Sequence, residues 1–250
     1  MQTSPSLMGS SIDPPTAIRF NGLTKRYAQT VALKALDLTI RAGSSFGLVG
    51  ANGAGKTTLI KCLLDFCEFE HGQIEVFGIA STQTPARSKL AFLPERFNPP
   101  YYLTGGDFLR FMSRMYRTVY DPTASARLLG ALDLSLDALV KPVRAFSKGM
   151  TQKLGLAACL LSGRELFVLD EPTSGLDPKA RALFKASLLE ARTRGATVFL
   201  TSHVLSDVED LCDEMAVLHA GELRFVGPPA ALRERFHAPS LEQAYLACIA

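Results

Sequence analysis

Short apolar segments are the strongest feature of the hydrophobic pattern. Residues 46–49, 166–169 and 196–201 are dominated by apolar side chains. A strand that is buried on both faces has such a continuous run, whereas a strand with one wet face alternates between apolar and polar positions. The pattern therefore predicts buried strands, and residues 166–169 and 196–201 are predicted to be parallel strands of an open sheet.

The first third of the chain predicts a second group of short strands. Because these strands follow one another closely along the chain, we expect antiparallel pairing beside the segment that begins at residue 50. The predicted strands are 17–23, 36–40, 44–49 and 73–76, and the predicted turns are 24–26 and 41–43.

A helical lobe, residues 100–163, is predicted between two strands. Thr104 is a candidate N-cap for a helix over residues 105–117, and Asp121 with Pro122 opens the next helix. Ser147 is a plausible N-cap for a third helix. With no repeat and no long linker, the chain is expected to form one compact unit with this lobe inserted.

The expected domain spans residues 17–236, and a C-terminal helix follows within 237–250. Residues 1–16 are rich in Ser, Pro and Thr and lack the charged and apolar regions of a signal peptide. They are therefore interpreted as a disordered tail.

Composition and charge exclude several classes of protein. A net charge of +3, with Lys and Arg spread along the chain, gives no support to a nucleic-acid partner. No apolar run approaches the roughly 20 residues that a membrane-spanning helix needs. The five cysteines include no C-x-x-C pair, so reduced core thiols in the cytosol are expected instead of a metal site.

A glycine-rich loop separates the apolar run 46–49 from a segment with helical periodicity. Glycine lets the backbone turn tightly and approach a ligand closely, and N–H groups at a helix N-terminus bind anions. Lys56 can place its charge on the phosphates of a nucleotide, and Thr57 is positioned to bind Mg²⁺. The loop therefore predicts a nucleotide site, formed by Gly50, Ala51, Asn52, Gly53, Ala54, Gly55, Lys56, Thr57 and Thr58.

Two carboxylates follow the apolar run 166–169. The ends of parallel strands meet at one edge of a sheet, so Asp170, Glu171 and the later His203 are expected at the same edge. Asp170 would hold Mg²⁺ through water, and Glu171 would orient and deprotonate an attacking water. The competing interpretation is a solvated acidic turn.

Two further segments are ambiguous on residue chemistry alone. Ser147 and Gly149 at a helix start form a second candidate anion site, although a simple capped core helix is the favoured explanation on these residues alone. Tyr27, in the predicted turn after the first strand, can stack on a purine ring. An ordinary, partly exposed tyrosine is the simpler explanation.

Taken in order and spacing, the motifs of residues 17–236 resemble the nucleotide-binding domain of ATP-binding cassette (ABC) transporters. That resemblance implies an α/β fold: a P-loop NTPase (RecA-like) core with an antiparallel β subdomain and an inserted helical subdomain. The matching elements are Tyr27 for adenine stacking, the loop 50–58, the coupling loop at Glu95, the signature 146–150, Asp170 with Glu171, the loop 174–177 that ends in Asp177, and the switch His203.

The resemblance also implies how such a chain works. Two copies would face each other head to tail, and Ser147 and Gly149 of one would cap the γ-phosphate of the ATP held by Lys56 of the other. Hydrolysis, with Glu171 as base, would open the pair and drive a multi-span permease. The chain would then lie at the cytoplasmic face of the membrane, with Thr57, Glu95 and Asp170 around Mg²⁺.

The chain departs from the common family pattern at two motifs. The signature has Phe146, Lys148 and Met150, and the coupling loop has Glu95 where glutamine is usual. Both changes resemble the exporter-type branch whose ATPase and permease are separate chains. A soluble cassette ATPase of cofactor assembly or maintenance, and a nucleotide-gated scaffold without turnover, are the alternatives.

Overall fold

The structure, a computed structural model, describes residues 15–250. The tail predicted at 1–16 therefore lies outside the described residues except for its last two. Pro15 accepts a backbone hydrogen bond from Ala42 at 2.7 Å, and the first strand already begins at Thr16. The first sheet thus includes a residue that the sequence assigns to the tail.

The first sheet is antiparallel and has four strands in the order β2-β1-β4-β5. Its first strand is longer than predicted, because the polar segment 24–26 pairs with the next strand through irregular register and does not turn. Tyr27 is consequently the last residue of a strand, so its assignment to a turn was wrong. The strands are β1 (Thr16–Tyr27), β2 (Thr30–Arg41), β4 (His71–Val76) and β5 (Ile79–Ala80).

The second sheet has six strands in the order β10-β9-β3-β8-β7-β6. All pairs are parallel except the pair at one edge, β9 with β10. Residues 44–49 were expected beside the early strands, but β3 pairs with two strands from the end of the chain. The strands are β3 (Ser45–Val49), β6 (Leu90–Leu93), β7 (Leu166–Asp170), β8 (Thr197–Ser202), β9 (Glu214–His219) and β10 (Glu222–Gly227).

Both faces of the parallel sheet are buried, which explains the apolar runs. Along β7, Leu166 and Val168 belong to one core cluster, shared with the antiparallel sheet. Phe167 and Leu169 belong to the other, shared with the helices. The alternation of side chains along a strand sends successive apolar residues into different cores.

Nine α-helices are assigned within residues 15–250. Those between β6 and β7 form the predicted lobe, and their apolar side chains share one cluster with the helices that follow β7. Thr104, Asp121 and Ser147 each accept a backbone hydrogen bond as N-caps. The helices are α1 (Lys56–Leu63), α2 (Thr84–Arg87), α3 (Gly105–Met115), α4 (Pro122–Ala131), α5 (Lys148–Leu160), α6 (Pro178–Thr193), α7 (Leu205–Leu211), α8 (Pro229–Arg235) and α9 (Leu241–Ile249).

The five cysteines are free thiols, as expected. Three of them, Cys62, Cys159 and Cys212, are buried, and the other two are partly buried. Within residues 15–250, none of the helices has the length and hydropathy to cross a bilayer.

Candidate functional site

The glycine-rich loop connects β3 to α1 and depends on glycine at two positions. A Cβ on Gly50 would lie 2.4 Å from the carbonyl oxygen of Leu218, in β9. Gly55 has φ +116°, and a Cβ there would lie 2.8 Å from the carbonyl oxygen of Ala32. A side chain at either place would clash with backbone, so the loop adopts this path only with glycine.

The first turn of α1 leaves its N–H groups without a side-chain cap. The N-cap residue is Gly55, and the first turn holds no acidic side chain. Unpaired N–H groups and the helix dipole make such an end a binding site for anions. The buried Lys56 adds a charge, and its ammonium donates to the carbonyl oxygens of Gly50 at 2.6 Å and Ala51 at 3.4 Å.

The ends of β7 and β8 bring a carboxylate and an imidazole together beside Lys56. Glu171 Oε1 lies 3.6 Å from Lys56 Nζ, and Glu171 Oε2 lies 2.7 Å from His203 Nδ1. The backbone N–H of His203 also donates to Oε2, at 3.2 Å. The parallel strands therefore place Glu171 and His203 at one sheet edge, as the sequence predicts.

Asp170 lies deeper than Glu171 and is held by a residue that the sequence did not single out. Its Oδ1 accepts a hydrogen bond from the Thr201 hydroxyl at 2.6 Å, and the Thr201 hydroxyl oxygen in turn accepts one from the Glu171 N–H at 3.0 Å. Burial raises the pKa of Asp170, the Thr201 hydrogen bond partly offsets this, and the carboxylates of Glu171 and Glu95 raise it further. Thr201 thus positions both acidic residues.

These groups surround a cleft of about 270 Å³. Most predicted site residues line it, and the sequence reasoning missed one lining residue, Ala32, whose methyl group carries no chemical signal. The cleft is lined by Ala32, Ala51, Asn52, Gly53, Gly55, Lys56, Thr57, Thr58, Glu95, Glu171 and His203.

Three predicted positions do not line the cleft because they are buried beneath the residues that do. Gly50, Ala54 and Asp170 are buried behind the loop and the strand ends. Gly50 and Ala54 shape the loop, while Asp170 is linked to the backbone of Glu171 through the Thr201 hydroxyl. The structure therefore connects these three residues to the cleft through backbone or through a hydroxyl.

Tyr27 lies outside the cleft, at the end of β1. It is 45% exposed, its hydroxyl lies 3.8 Å from Cys67 Sγ, and the ammonium of Lys25 lies 4.9 Å from the ring centroid. Contact with Cys67 contributes to raising its pKa, although burial is the larger cause. The ring is thus held on one edge while much of it stays accessible.

Ser147, Gly149 and Asp177 are also away from the cleft and lie near the chain's surface. Ser147 Oγ accepts from the Met150 N–H at 3.2 Å, and Asp177 Oδ1 accepts from the Ala180 N–H at 2.9 Å. Both side chains cap helices of their own chain and are exposed. Within one chain, these residues and Lys56 do not form a common site.

The cleft suits a polyphosphate on the observations above. Part of its lining is glycine backbone, at Gly55, that has no room for a Cβ. One end is the uncapped N-terminus of α1, and one wall carries the buried ammonium of Lys56. The first lets a phosphate approach the backbone closely, and the other two favour negative charge. A nucleoside triphosphate therefore fits the residues present.

Comparison with known proteins gives the same answer. A family model described as ABC transporter matches residues 33–174. An uncharacterized ABC transporter ATP-binding protein of Nostoc sp. (strain PCC 7120) is 36% identical over 236 residues, covering 88% of this chain and 69% of that protein. The chain belongs to the ABC transporter family.

Two further matches extend the comparison within this family. Nod factor export ATP-binding protein I of Rhizobium leguminosarum bv. viciae is 36% identical over 236 residues, covering 91% of this chain and 75% of that protein. A solved ATP-binding subunit of an ABC transporter superposes with a TM-score of 0.82 at 28% identity, covering 93% of this chain and 99% of that one.

A third match shows the fold alone. The ATP-binding cassette MJ0796, solved as a dimer in a post-hydrolysis state bound to ADP and Pi, has a TM-score of 0.77 at 20% identity, with 84% of this chain covered and 98% of that one. The predicted fold class is confirmed, and the chain is an ABC ATPase that binds and hydrolyses ATP. A soluble cassette outside transport is not favoured, because the matched relatives are transporter subunits.

Proposed function

We propose that this ABC ATPase energises export through a separate membrane permease, as one of two copies that close on ATP. The main observation behind the proposal is that the two carboxylate oxygens of Glu171 face Lys56 and His203, one each. The export direction is supported by the name of the Nod factor export relatives.

In this proposal Glu171 is the general base of hydrolysis. Its carboxylate is fixed at both ends and lies at the wall of the cleft, so it can orient a water molecule and accept a proton from it. His203 is 57% exposed on its side chain and its Nδ1 is engaged by Glu171, so its other face is available to the γ-phosphate. Lys56 would exchange its contacts with loop carbonyls for phosphate oxygens.

The rest of the ATP site follows the loop and the nearby aromatic ring. Tyr27 would stack on the adenine, because much of its aromatic ring is exposed and base–aromatic stacking is favourable. The phosphates would be held by backbone N–H groups and side chains of Gly50, Ala51, Asn52, Gly53, Ala54, Gly55, Lys56, Thr57 and Thr58.

Mg²⁺ fits this site as a companion of the nucleotide. Thr57 and Glu95 line the cleft, and Asp170 lies behind its wall, so these three would hold the ion. Within residues 15–250, no group of three or more His, Cys, Asp or Glu side chains is arranged to hold a metal. Since Mg²⁺ keeps its waters and binds through one or two carboxylates plus phosphates, the ion would supply charge neutralisation only together with ATP.

The second copy would complete the site with residues that stand apart in one chain. Ser147 and Gly149 begin α5 at the surface, and Gly175 packs against Lys148, so the loop ending in Asp177 and the start of α5 form one continuous patch. A head-to-tail pair would bring this patch to the γ-phosphate at Lys56 of the partner copy. The dimeric cassette MJ0796 provides a precedent for pairing in this fold.

A groove beside the helical lobe is the proposed contact with the permease. Its volume is about 780 Å³, and it lies between the segment 84–90 and α3. Its walls combine the exposed Phe111 and Met115 with three guanidinium groups, of Arg87, Arg117 and Arg164. A cytoplasmic helix with apolar and acidic positions matches that surface, and it would hold the chain at the cytoplasmic face of the membrane.

The decisive test is Glu171→Gln, which keeps the shape and removes the base. Turnover should fall by at least about 100-fold, which is the range for loss of a general base, while ATP binding persists. With saturating Mg-ATP the variant should elute as a dimer in size-exclusion chromatography with light scattering.

Glu165→Gln is the matched control, because Glu165 precedes the same strand at its other end and its carboxylate forms an exposed ion pair with Lys89. It should behave as wild type. Turnover of Glu171→Gln at the wild-type rate would remove Glu171 from the role of base. Monomeric elution of that variant with Mg-ATP would contradict the head-to-tail pair.

A further inference from the structure

A buried hydrogen bond joins the loop after Glu171 to the helix after His203. The hydroxyl of Thr173 donates to Asp207 Oδ2 at 2.6 Å, and both residues are almost fully buried. Thr173 lies two residues beyond Glu171, and Asp207 is in the first turn of α7, four residues beyond His203. The contact therefore connects the two segments that carry the reactive pair.

The carboxylate of Asp207 faces two cationic side chains of α6. Lys185 Nζ lies 2.8 Å from Oδ1, and Arg181 Nε lies 3.9 Å from Oδ2. Burial would lower the pKa of Lys185, but the carboxylates of Asp207 and Asp210 raise it above its ordinary value. A buried carboxylate with this much positive charge around it is firmly located.

Strand pairing stops just before the reactive residues. The last register pair of β7 and β8 is Asp170 with Thr201, so the chain beyond it is held by side chains. On one side Gln152 of α5 donates to the carbonyl oxygen of Pro172 at 3.2 Å, and on the other Asp207 holds Thr173. Glu171 itself has φ 47°, in the left-handed region, a conformation that needs such support in a residue other than glycine.

We propose that Asp207 is a positioning residue for hydrolysis, which acts through Thr173 to keep the Glu171 carboxylate in place against His203. The proposal rests on the role of Glu171 as base. Neither Asp207 nor Thr173 lines the cleft, so neither contacts the nucleotide in this chain. The pair therefore governs the chemical step and leaves the binding of ATP unchanged.

The test is Thr173→Val, which removes the hydroxyl and keeps the shape. The kcat for ATP should fall by about 10- to 100-fold, the effect of misplacing a catalytic group by an ångström or less, with KM within twofold of wild type. Thr173→Ser restores the hydroxyl and should restore kcat to within a few fold. Asp207→Asn should repeat the loss if the variant folds, and Thr173→Val carries the test if it does not.

Thr197→Val is the matched control for a purely structural role. Thr197 is equally buried, and its hydroxyl accepts a single hydrogen bond, from Gly43, at the opposite end of β8. Both valine variants should lower the melting temperature, but only Thr173→Val should lower kcat. Equal kcat in the two variants, or a loss that serine does not rescue, would overturn the positioning role.

The kinetics of two variants, Glu171→Gln and Thr173→Val, separate this inference from the proposal on which it rests. If Glu171→Gln turns over ATP as fast as wild type, Glu171 is not the base and the argument for Asp207 falls with it. If Glu171→Gln is inactive and Thr173→Val has wild-type kcat, the base is correct and only the positioning role is wrong.

Discussion

Two helices of this chain begin with features that bind anions, and they differ in what satisfies their first N–H groups. Helix α1 has a glycine N-cap, no side-chain cap and a buried lysine, and its first turn opens into the cleft. Helix α5 has Ser147 bonded to the Met150 N–H, and it begins at the exposed surface. The first end is organised around a ligand, whereas the second is stable without one.

The difference explains how one ATP can be shared between copies. A site that must hold nucleotide in a single chain needs open donors and a local cation, which α1 has. A helix end that meets the nucleotide only after docking needs partners for its N–H groups in the free chain as well, because a helix without such caps is less stable. Ser147 provides that cap, and on the proposal above its hydroxyl also turns to the partner's phosphate.

Of the two helix ends, the larger effect is expected at α1, from Lys56→Met. The ammonium makes charge-assisted hydrogen bonds worth about 1.5–3 kcal/mol each, so ATP affinity should fall by roughly 10- to 100-fold or more. Isothermal titration calorimetry on the isolated chain measures this directly. Lys61→Met, in the last turn of the same helix and exposed, is the control and should bind as wild type.

Unchanged ATP affinity in Lys56→Met would place the phosphates away from α1. The contrast between the two helix ends would then lose its functional meaning.

A smaller effect of a different kind is expected at α5, from Ser147→Ala. Loss of one hydroxyl contact across the dimer should lower turnover about tenfold, while ATP affinity of the monomer stays the same. The substitution also removes a helix cap, which costs about 1 kcal/mol of stability. Steady-state ATPase rates at several protein concentrations, with ATP titrations of dilute protein, separate the two effects.

Ser240→Ala is the control for the lost cap, because Ser240 caps α9 in the same manner, through the Gln243 N–H. It should lose similar stability and keep full turnover. Equal turnover in the two alanine variants would mean that Ser147 is a cap and nothing more.

The smallest effect concerns the buried carboxylate behind the α1 cleft, in Asp170→Asn. The pKa of Asp170 is raised in the folded chain, so folding favours its protonated form, and nucleotide-free protein gains stability as pH falls through that pKa. At neutral pH the charge is therefore unfavourable without a ligand, and the neutral amide should raise the melting temperature slightly. Mg-dependent ATPase activity should fall in the same variant.

Thermal unfolding without nucleotide, measured between pH 5 and pH 8, checks this expectation. The advantage of Asp170→Asn should shrink towards the acid end, where the wild-type carboxyl takes up its proton. Asp137→Asn, at an exposed position, should show no shift. A lower melting temperature for Asp170→Asn at neutral pH would contradict the argument.

The parts of the site that follow from strand order were accessible from the sequence. Glu171 and His203 each follow an apolar run, and parallel strands place such ends together, so their position at one sheet edge was expected, although their direct contact was not. The caps Thr104, Asp121 and Ser147 followed from residue type just ahead of helical periodicity. Local chemistry determined these features.

What the sequence did not predict depends on distant partners. The pairing of β3 with β8 and β9 joins residues more than 150 positions apart, and the pattern of residues 44–49 does not name those partners. The polar segment 24–26 resembles a turn because its side chains are charged or hydroxylic, yet it pairs in β1. Thr201 carried a weak signal, as a hydroxyl at the end of an apolar strand, but its two hydrogen bonds depend on the neighbouring strand.

The contacts of Lys56 with its own loop bear on how fast nucleotide is captured. In the free chain the Lys56 ammonium hydrogen-bonds to the Gly50 and Ala51 carbonyl oxygens, so the glycine-rich loop keeps its shape before any phosphate arrives. Association then carries a smaller entropic penalty for ordering the loop, and the first encounter exchanges two internal hydrogen bonds for bonds to phosphate. Capture of ATP should accordingly be limited by diffusion into the cleft and not by a folding step.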